Sequence, residues 1–460
     1  MTSIGFQTLR DASRLLIAAF ASVAVVQAAG ADAAFKPAVT RSAAANRIAE
    51  KPDYVHAFSS SADWLEIGLE SRTRYEMRAN DYTFGLLSDD ALVTRNLLYL
   101  GVKKALDPLR LAFELQDSRR FFSDLGATTN VVDKLEPLQA YAQLYFNDAV
   151  GDAPLSISVG RMAFDWADRR LISRNRNRNT ISAFDGIRLR IGDENAPWEI
   201  DAIAVRPVNR SIQNLDQSTD DLMLYGIAGY WRGWSPHVVL EPYWLWLDQR
   251  EAGTTALRRN LHTFGLHAFG QWGQGNAWDY DLSLAGQWGQ SGGLTHRAFA
   301  GHVEAGRTWT TAWKPRLGLW LNYASGDSNP TDSSNQRFDP LYGATYSFYG
   351  FSSYFSWQNM INPAVRFSVQ PTKTLKCEII HRAIWLAADR DSWVKSGRRD
   401  ATGNSGSFVG QEFDARLVWQ LRSNFDLDFA YAHFFPGNFA SGTGAAPPGN
   451  FMQLAAILRF

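Results

Sequence analysis

Apolar and polar residues alternate with a period of two over most of the chain from Asp63 onward. In residues 110–116, Leu111, Phe113 and Leu115 alternate with charged or amide side chains, and residues 412–421 repeat the pattern. Because successive side chains of a β-strand point to opposite faces, each such segment has one apolar and one polar face. The pattern predicts an all-β protein.

The alternation divides residues 63–460 into about 18 predicted strands. Many of them are about 10–15 residues long, the length that a tilted strand needs to cross hydrocarbon, whereas the strands of a soluble sandwich are shorter. Residues 346–356 are assigned to a long loop, because bacterial barrels have an even number of strands. The predicted strands are 63–78, 91–105, 108–117, 137–147, 154–161, 181–192, 197–206, 221–232, 236–247, 258–270, 277–288, 296–309, 313–325, 362–370, 373–387, 409–421, 424–435 and 451–460.

The gaps between these strands alternate between long and short along the whole chain, with residues 289–295 counted among the long ones. Short periplasmic turns and long extracellular loops are typical of outer-membrane barrels. Tryptophans near strand ends and the terminal Phe460 agree with this interpretation. The prediction is an antiparallel transmembrane β-barrel of about 18 strands in the outer membrane of a Gram-negative bacterium.

The N-terminal residues have the features of a targeting sequence. Arg10 and Arg14 precede an apolar stretch over residues 15–26, and small residues follow at 29–33. This arrangement predicts a signal peptide over residues 1–33, with an apolar stretch too short to cross a bilayer as a helix. Residues 34–62 are predicted to form a periplasmic N-terminal segment, either a tail or a plug, before the barrel at 63–460.

Composition and motifs exclude several other classes of protein. The 46 Lys and Arg balance 46 Asp and Glu, which argues against nucleic-acid binding. Cys377 is the single cysteine, so no disulfide framework or multi-cysteine metal site is predicted. The eight histidines are scattered, and no common catalytic or phosphate-binding motif appears. We therefore predict no enzyme, metal or cofactor.

Strand parity sends a large set of charged side chains into the lumen. An 18-stranded barrel encloses an aqueous channel, where arginines favour carboxylate cargo. The alternative for any one arginine is a pairing with an acid on a neighbouring strand. The densest basic segment, residues 165–179, either remains solvated or folds into the mouth. The predicted inward residues are Arg72, Arg74, Arg110, Arg188, Arg190, Arg366, Arg382, Arg416, Glu66, Glu70, Glu114, Glu241, Glu378, Glu412 and Asp414.

Three short elements carry a family resemblance. They are Val159-Gly160-Arg161, Arg169-Arg170-Leu171-Ile172 and residues 184–189, Phe-Asp-Gly-Ile-Arg-Leu. In order and spacing they resemble the alginate export family of outer-membrane proteins. Residues 114–119, 338–342 and 348–350 match the family more weakly. Met162 departs from the family pattern, which usually has glutamine there.

The resemblance implies an electropositive constriction through which an anionic polyuronate leaves the cell. Carried over by motif, Arg161 and Arg188 belong to that constriction, with Arg119 and Glu114 nearby. Arg161 shares the parity of the apolar Val159, so it reaches the lumen only at a bulge or a strand end. The remaining candidates are Arg74 and Arg382, carried over by position, and Arg416, from parity.

The expected function is an outer-membrane channel that exports an anionic polysaccharide such as alginate. The expected partners are that polymer or small anionic solutes, outer-membrane lipid and periplasmic export proteins, with the barrel itself a monomer. The first alternative is a general or anion-selective porin for uptake of small solutes. The second is a barrel enzyme or a structural barrel with a plugged lumen.

Overall fold

The computed structural model describes residues 54–193, 196–250 and 258–460. The predicted signal peptide and residues 34–53 of the predicted N-terminal segment lie outside the described residues. Among the described residues, no helix is long and apolar enough to cross a membrane.

Eighteen long strands follow one another along the chain, and each runs antiparallel to its neighbours. They are β1 (Leu65–Asp81), β2 (Leu87–Val102), β3 (Leu109–Phe121), β4 (Asp133–Val150), β5 (Ala153–Met162), β6 (Phe184–Ile191), β7 (Trp198–Asn209), β8 (Leu222–Trp231), β9 (Val239–Gln249), β10 (Arg259–Trp272), β11 (Trp278–Ser291), β12 (Leu294–Thr308), β13 (Arg316–Ala324), β14 (Met360–Val369), β15 (Leu375–Trp385), β16 (Phe408–Arg422), β17 (Phe425–Pro436) and β18 (Gly449–Arg459).

The first strand closes the sheet by pairing with the last. β1 pairs with β18 from Glu70 opposite Arg459 to Ala79 opposite Asn450, and its other edge pairs with β2. Closure removes the free edges that an open sheet would expose. The predicted all-β barrel of about 18 strands is confirmed, each predicted strand overlaps an observed one, and residues 346–356 lie in a loop.

The described residues also form a few short elements outside the eighteen long strands. They are the strands Val55–Ala57, Gln217–Ser218, Ser334–Asn335, Ser392–Trp393 and Arg398–Arg399, the 3-10 turns Gln274–Asn276 and Val394–Ser396, and the helix α1 (Asn438–Gly442).

Connections at one end of the barrel are short, and most of those at the other end are long, as predicted. The predicted long gap at 289–295 is wrong: β11 and β12 meet in a two-residue turn at Gly292 and Gly293. The glycine-rich sequence there is typical of a loop, but Gly289 remains part of β11 and pairs with Leu261 and His296. Its φ is 141°. Glycine tolerates that backbone conformation, so both strands continue past the predicted ends.

The outer face of the barrel is apolar. Large aliphatic and aromatic side chains are exposed at every second position of most strands, as a lipid-facing surface requires. Examples are Leu98, Leu100, Phe113, Val159, Ile187, Phe264, Phe299, Leu319, Phe367 and Ile379.

Part of the inner wall is also apolar, and two long connections cover it. Loop 3 (residues 163–183) and loop 7 (residues 325–359) fold inward and bury Trp166, Ile172 and Trp357 against it. A barrel of this strand number is too wide for its wall side chains to fill the lumen. The wall residues in this cluster include Val205, Leu224, Leu245, Leu247, Leu261, Ala285, Ala300 and Ala324.

Candidate transport passage

Loops 3 and 7 are bound to each other inside the barrel. The Tyr342 amide donates to the Leu171 carbonyl oxygen (2.8 Å), and the Ala344 amide donates to that of Arg169 (2.9 Å). A Cβ at Gly343 would lie 1.8 Å from the carbonyl oxygen of Arg170, so only glycine allows this approach. The two loops therefore form one unit that fills one side of the lumen.

A cavity of about 480 Å³ remains on the opposite side. Thr83, Phe84 and Leu125 line it at the long-loop end of the barrel. It continues along the wall to Arg366 and Glu378, in the half of β14 and β15 nearer the short turns. The cavity is therefore the candidate passage, and we call it the lumen cavity.

Cationic side chains predominate in the lining of the lumen cavity. Among the described residues nine basic side chains line it, against three acidic ones. Such an excess lowers the free energy of a carboxylate that enters. The basic residues are Arg74, Arg78, Arg120, Arg169, Arg176, Arg178, Arg366, Lys395 and Arg416, and the acidic ones are Glu76, Asp165 and Glu378.

Two of the loop cations have perturbed pKa values. Burial, together with nearby Arg210, lowers the pKa of Arg178 to about 10. Burial and the Arg178 charge also lower the pKa of Lys395 below its ordinary value. With a pKa of about 10, Arg178 stays charged at neutral pH.

Two of the predicted site residues, Arg74 and Arg416, line the lumen cavity. Arg74 is bound to Glu76 and donates to the carbonyl oxygen of Asn177 in loop 3 (2.7 Å). Arg416 donates from Nε to Asp428 (2.9 Å), so its charge is partly balanced. Both positions follow the parity expected for the lumen.

Three further predicted residues face inward and bind other residues of the barrel interior. Glu114 is buried, and accepts hydrogen bonds from Tyr54 and Gln139. Arg188 donates from Nε to Asp201 (2.9 Å), and Arg382 donates from Nη2 to Asp414 (2.7 Å). None of the three is among the described residues that line the lumen cavity.

The structure places the other two predicted residues, Arg119 and Arg161, on the opposite parity. Arg119 lies on the same face of β3 as Leu115, pairs with Asp117, and its side chain is 41% exposed. Arg161 keeps the parity of the outward Val159, and binds Glu136 (2.8 Å) and Asp185 (2.9 Å) at the end of its strand. Neither residue is among those that line the lumen cavity in the described chain.

The residues that sequence reasoning missed are mainly in the loops and at the strand ends. Arg120 lines the cavity where Arg119 was expected, and its parity, shared with Glu114, would have indicated this. Lys395 in the connection after β15 carries no signal in the sequence pattern. Arg176 and Arg178 belong to the basic segment 165–179, which folds inward, one of the two alternatives left open by the sequence.

One acidic cluster of the described residues has the spacing of a metal site. Carboxylate oxygens of Asp133, Glu136 and Asp216 lie within 4.8 Å of one another. Protein groups already donate to this cluster: Gln116 to Asp133 (2.9 Å) and Arg161 to Glu136 (2.8 Å). The cluster is therefore explained by internal hydrogen bonds.

A scan against protein families matches the family described as "Alginate export" over residues 63–448, most of the chain. The chain belongs to the alginate export family. It is therefore a β-barrel channel of the Gram-negative outer membrane. Family and fold are those of channels rather than enzymes. No curated protein matches the chain.

Solved structures of the same fold are outer-membrane barrels from Pseudomonas aeruginosa. The chain is similar to OccK3 (OpdO), with 13% identity, a TM-score of 0.59 and coverage of 86% of this chain and 95% of that one. It is similar to OprD at 9% identity, with a TM-score of 0.56 and coverage of 86% and 93%. For OpdK, solved with vanillate, identity is 13%, the TM-score is 0.58 and coverage is 86% and 98%. At these identities the likeness supports the fold alone.

Proposed function

We propose that this channel exports an anionic polysaccharide such as alginate, and that the polymer passes through the lumen cavity. The observation that carries the proposal is the excess of nine basic over three acidic side chains in the cavity lining. Arginine guanidinium groups stay charged at physiological pH and bind carboxylates bidentately, which suits a chain of uronic acids. Several moderate sites in sequence allow a polyanion to advance without being trapped.

Ion selectivity in planar bilayers tests the proposal. The wild-type barrel should pass more chloride than potassium, and oligouronates added on one side should reduce the current. Arg120→Gln should weaken both effects, because it removes a charge from the cavity. Arg119→Gln is the matched control: it changes the neighbouring residue, whose side chain lies on the other face of β3. Unselective or cation-selective wild-type current would refute the proposal.

Transport of the polymer itself is a separate measurement. Proteoliposomes loaded with long oligouronates should release them when they contain the wild-type barrel and retain them without it. Release should be slower with Arg120→Gln than with Arg119→Gln. A barrel that binds oligouronates but does not release them from the vesicles would argue against export.

A second candidate is uptake of small organic anions. It is favoured by the cavity volume of about 480 Å³, which lies in the range of small-molecule sites. The vanillate with which OpdK was solved is also a carboxylate, although that ligand belongs to the other protein. Passage of monomeric uronates with retention of long oligomers would favour this function over export.

A further inference from the structure

Residues 54–57 lie beside β1 at the short-turn end of the barrel. Val55–Ala57 pairs with β1 opposite Gly68, Ile67 and Glu66, next to the point where β18 ends. A Cβ at Gly68 would lie 2.4 Å from the carbonyl oxygen of Tyr54, so this oxygen lies directly against the inner face of β1. Glycine at position 68 therefore leaves the space that the Tyr54 backbone occupies.

Tyr54 is 4% exposed and connects two parts of the barrel interior. Its phenol donates a hydrogen bond to Oε1 of Glu114. Burial, and next the Glu114 charge, raises the pKa of the phenol, so it stays a donor at physiological pH. The Tyr54 ring also makes a cation–π interaction with Arg176, whose Cζ lies 4.9 Å from the ring centroid.

Arg176 belongs to the part of loop 3 that borders the lumen cavity, and wall arginines hold the backbone there. Arg95 donates to the carbonyl oxygen of Arg176 (2.6 Å), and Arg72 donates to that of Arg178 (2.7 Å). Hydrogen bonds from a charged donor are roughly twice as strong as neutral ones. The backbone at 176–178 is thus anchored to the wall.

The Arg176 side chain contacts groups other than those that hold its backbone. Its guanidinium is bound to Glu70, which also accepts a hydrogen bond from Arg95 (2.8 Å). The Tyr54 ring also lies against the guanidinium. Displacing that ring would leave the backbone anchors intact and release one constraint on the side chain.

We propose that Tyr54 is a positioning residue of the channel, which fixes the Arg176 guanidinium at the edge of the lumen cavity. A segment at the periplasmic end of the barrel thereby sets the position of a charge carried by an extracellular loop. The inference depends on the channel function and not on the identity of the polymer, so it is tested with small ions.

The experiment compares reversal potentials of barrels in a potassium chloride gradient. Tyr54→Ala should lower the chloride-over-potassium permeability ratio about two-fold, as expected for a change that acts on a lumen charge. Tyr54→Phe keeps the ring over Arg176 and should retain most of the ratio. Gly68→Ala displaces the Tyr54 backbone and leaves the Tyr54 and Arg176 side chains themselves unchanged. It should change the permeability ratio in the same direction as Tyr54→Ala.

Two controls separate positioning from a general loss of structure. Gly286→Ala is the matched glycine control, because a Cβ there would meet nothing within 4 Å. Trypsin cleavage after Arg176, measured on barrels with heat-modifiable migration, reports whether the loop backbone at 176–178 stays anchored to the wall. Cleavage should be as slow in Tyr54→Ala and Gly68→Ala as in the wild type and in Gly286→Ala, because Arg95 and Arg72 still hold the backbone.

Unchanged permeability ratios in folded Tyr54→Ala and Gly68→Ala barrels, or a lower ratio accompanied by faster trypsin cleavage, would overturn the proposal. If Tyr54→Ala does not fold, the Gly68→Ala barrel decides by the same two readouts. Block by oligouronates is a different measurement, so failure here leaves the proposed cargo standing.

Discussion

The inner wall of the barrel has two regions that differ in chemistry. On β7–β13, the half nearer the long loops presents aliphatic side chains such as Leu224 and Leu245, and loops 3 and 7 cover it. On β1, β14, β15 and β16, charged side chains such as Arg74 and Arg366 border the lumen cavity, and apolar residues nearer the long loops, such as Ile384 on β15, belong to the covered cluster. Apolar wall positions recruit the loops by the hydrophobic effect, whereas charged positions retain water. The distribution of apolar residues over the inner wall thus decides where the passage runs.

The arginines of the lumen divide in a similar way. Arg188, Arg382 and Arg416 each bind an aspartate on a neighbouring strand. Five of the nine cations that line the cavity lie on strands, and the other four, Arg169, Arg176, Arg178 and Lys395, lie in loops. A strand arginine bound to an aspartate therefore has its charge partly balanced, and loop cations add to the electrostatic field that an anion meets in the cavity.

The largest expected effect comes from removing the side chain that attaches loop 3 to the apolar wall. Trp166 is fully buried, and its ring lies 5.9 Å from that of Tyr243. Trp166→Ala should destabilise the loop packing by roughly 3–5 kcal/mol, the usual cost of emptying a large buried site. We expect a higher single-channel conductance with frequent fluctuations, because the loop unit leaves the wall.

Trp313→Ala is the control for this prediction, because Trp313 is 61% exposed in a short turn. Its conductance should match that of the wild type. A Trp166→Ala barrel with wild-type conductance and steady current would mean that the loops are held in place without the apolar wall.

The next effect concerns a paired strand arginine. Arg382 is fully buried between Asp414 and the carbonyl oxygen of Phe348 in loop 7. Arg382→Gln should lower the stability by roughly 3 kcal/mol, because a buried carboxylate loses its partner. Urea unfolding in detergent micelles measures this, and the double variant with Asp414→Asn should recover part of the loss. A change in anion selectivity with unchanged stability would contradict the division into wall and cavity arginines.

The fold could be predicted from the sequence because the lipid imposes one rule on all strands. Every second residue on a strand meets hydrocarbon, so the period-two pattern persists over eighteen segments. The turn at Gly292 and Gly293 was missed because glycines weaken the pattern without ending the strand. The strand pattern likewise predicts which side of the wall a residue faces, as Arg74 and Arg416, which line the lumen cavity, illustrate.

The site was only partly predictable, because parity says which side of the wall a residue faces and not what it meets there. Nothing in the alternation distinguishes Arg416, at the cavity, from Arg382, bound to loop 7. The resemblance favoured Arg119 over its neighbour Arg120, although parity favours Arg120. The inward path of loop 3 depends on long-range packing of Trp166, which the sequence pattern does not encode.

The smallest expected effect is a pH dependence that separates loop cations from paired strand arginines. Burial lowers the pKa of Arg178 to about 10 and that of Lys395 below its ordinary value. A base that loses its proton loses positive charge, so the chloride-over-potassium permeability ratio should fall as the pH rises toward 10. An arginine bound to a carboxylate keeps its proton there, because the negative partner favours the charged form.

Reversal potentials between pH 7 and pH 10 measure this decline. The double variant Arg178→Gln and Lys395→Gln should begin with a lower ratio and change little over the same range. Arg119→Gln should titrate like the wild type, since its side chain lies outside the cavity. If the double variant titrates as steeply as the wild type, the charge lost with rising pH does not come from these loop cations, and the division between loop and strand would need another basis.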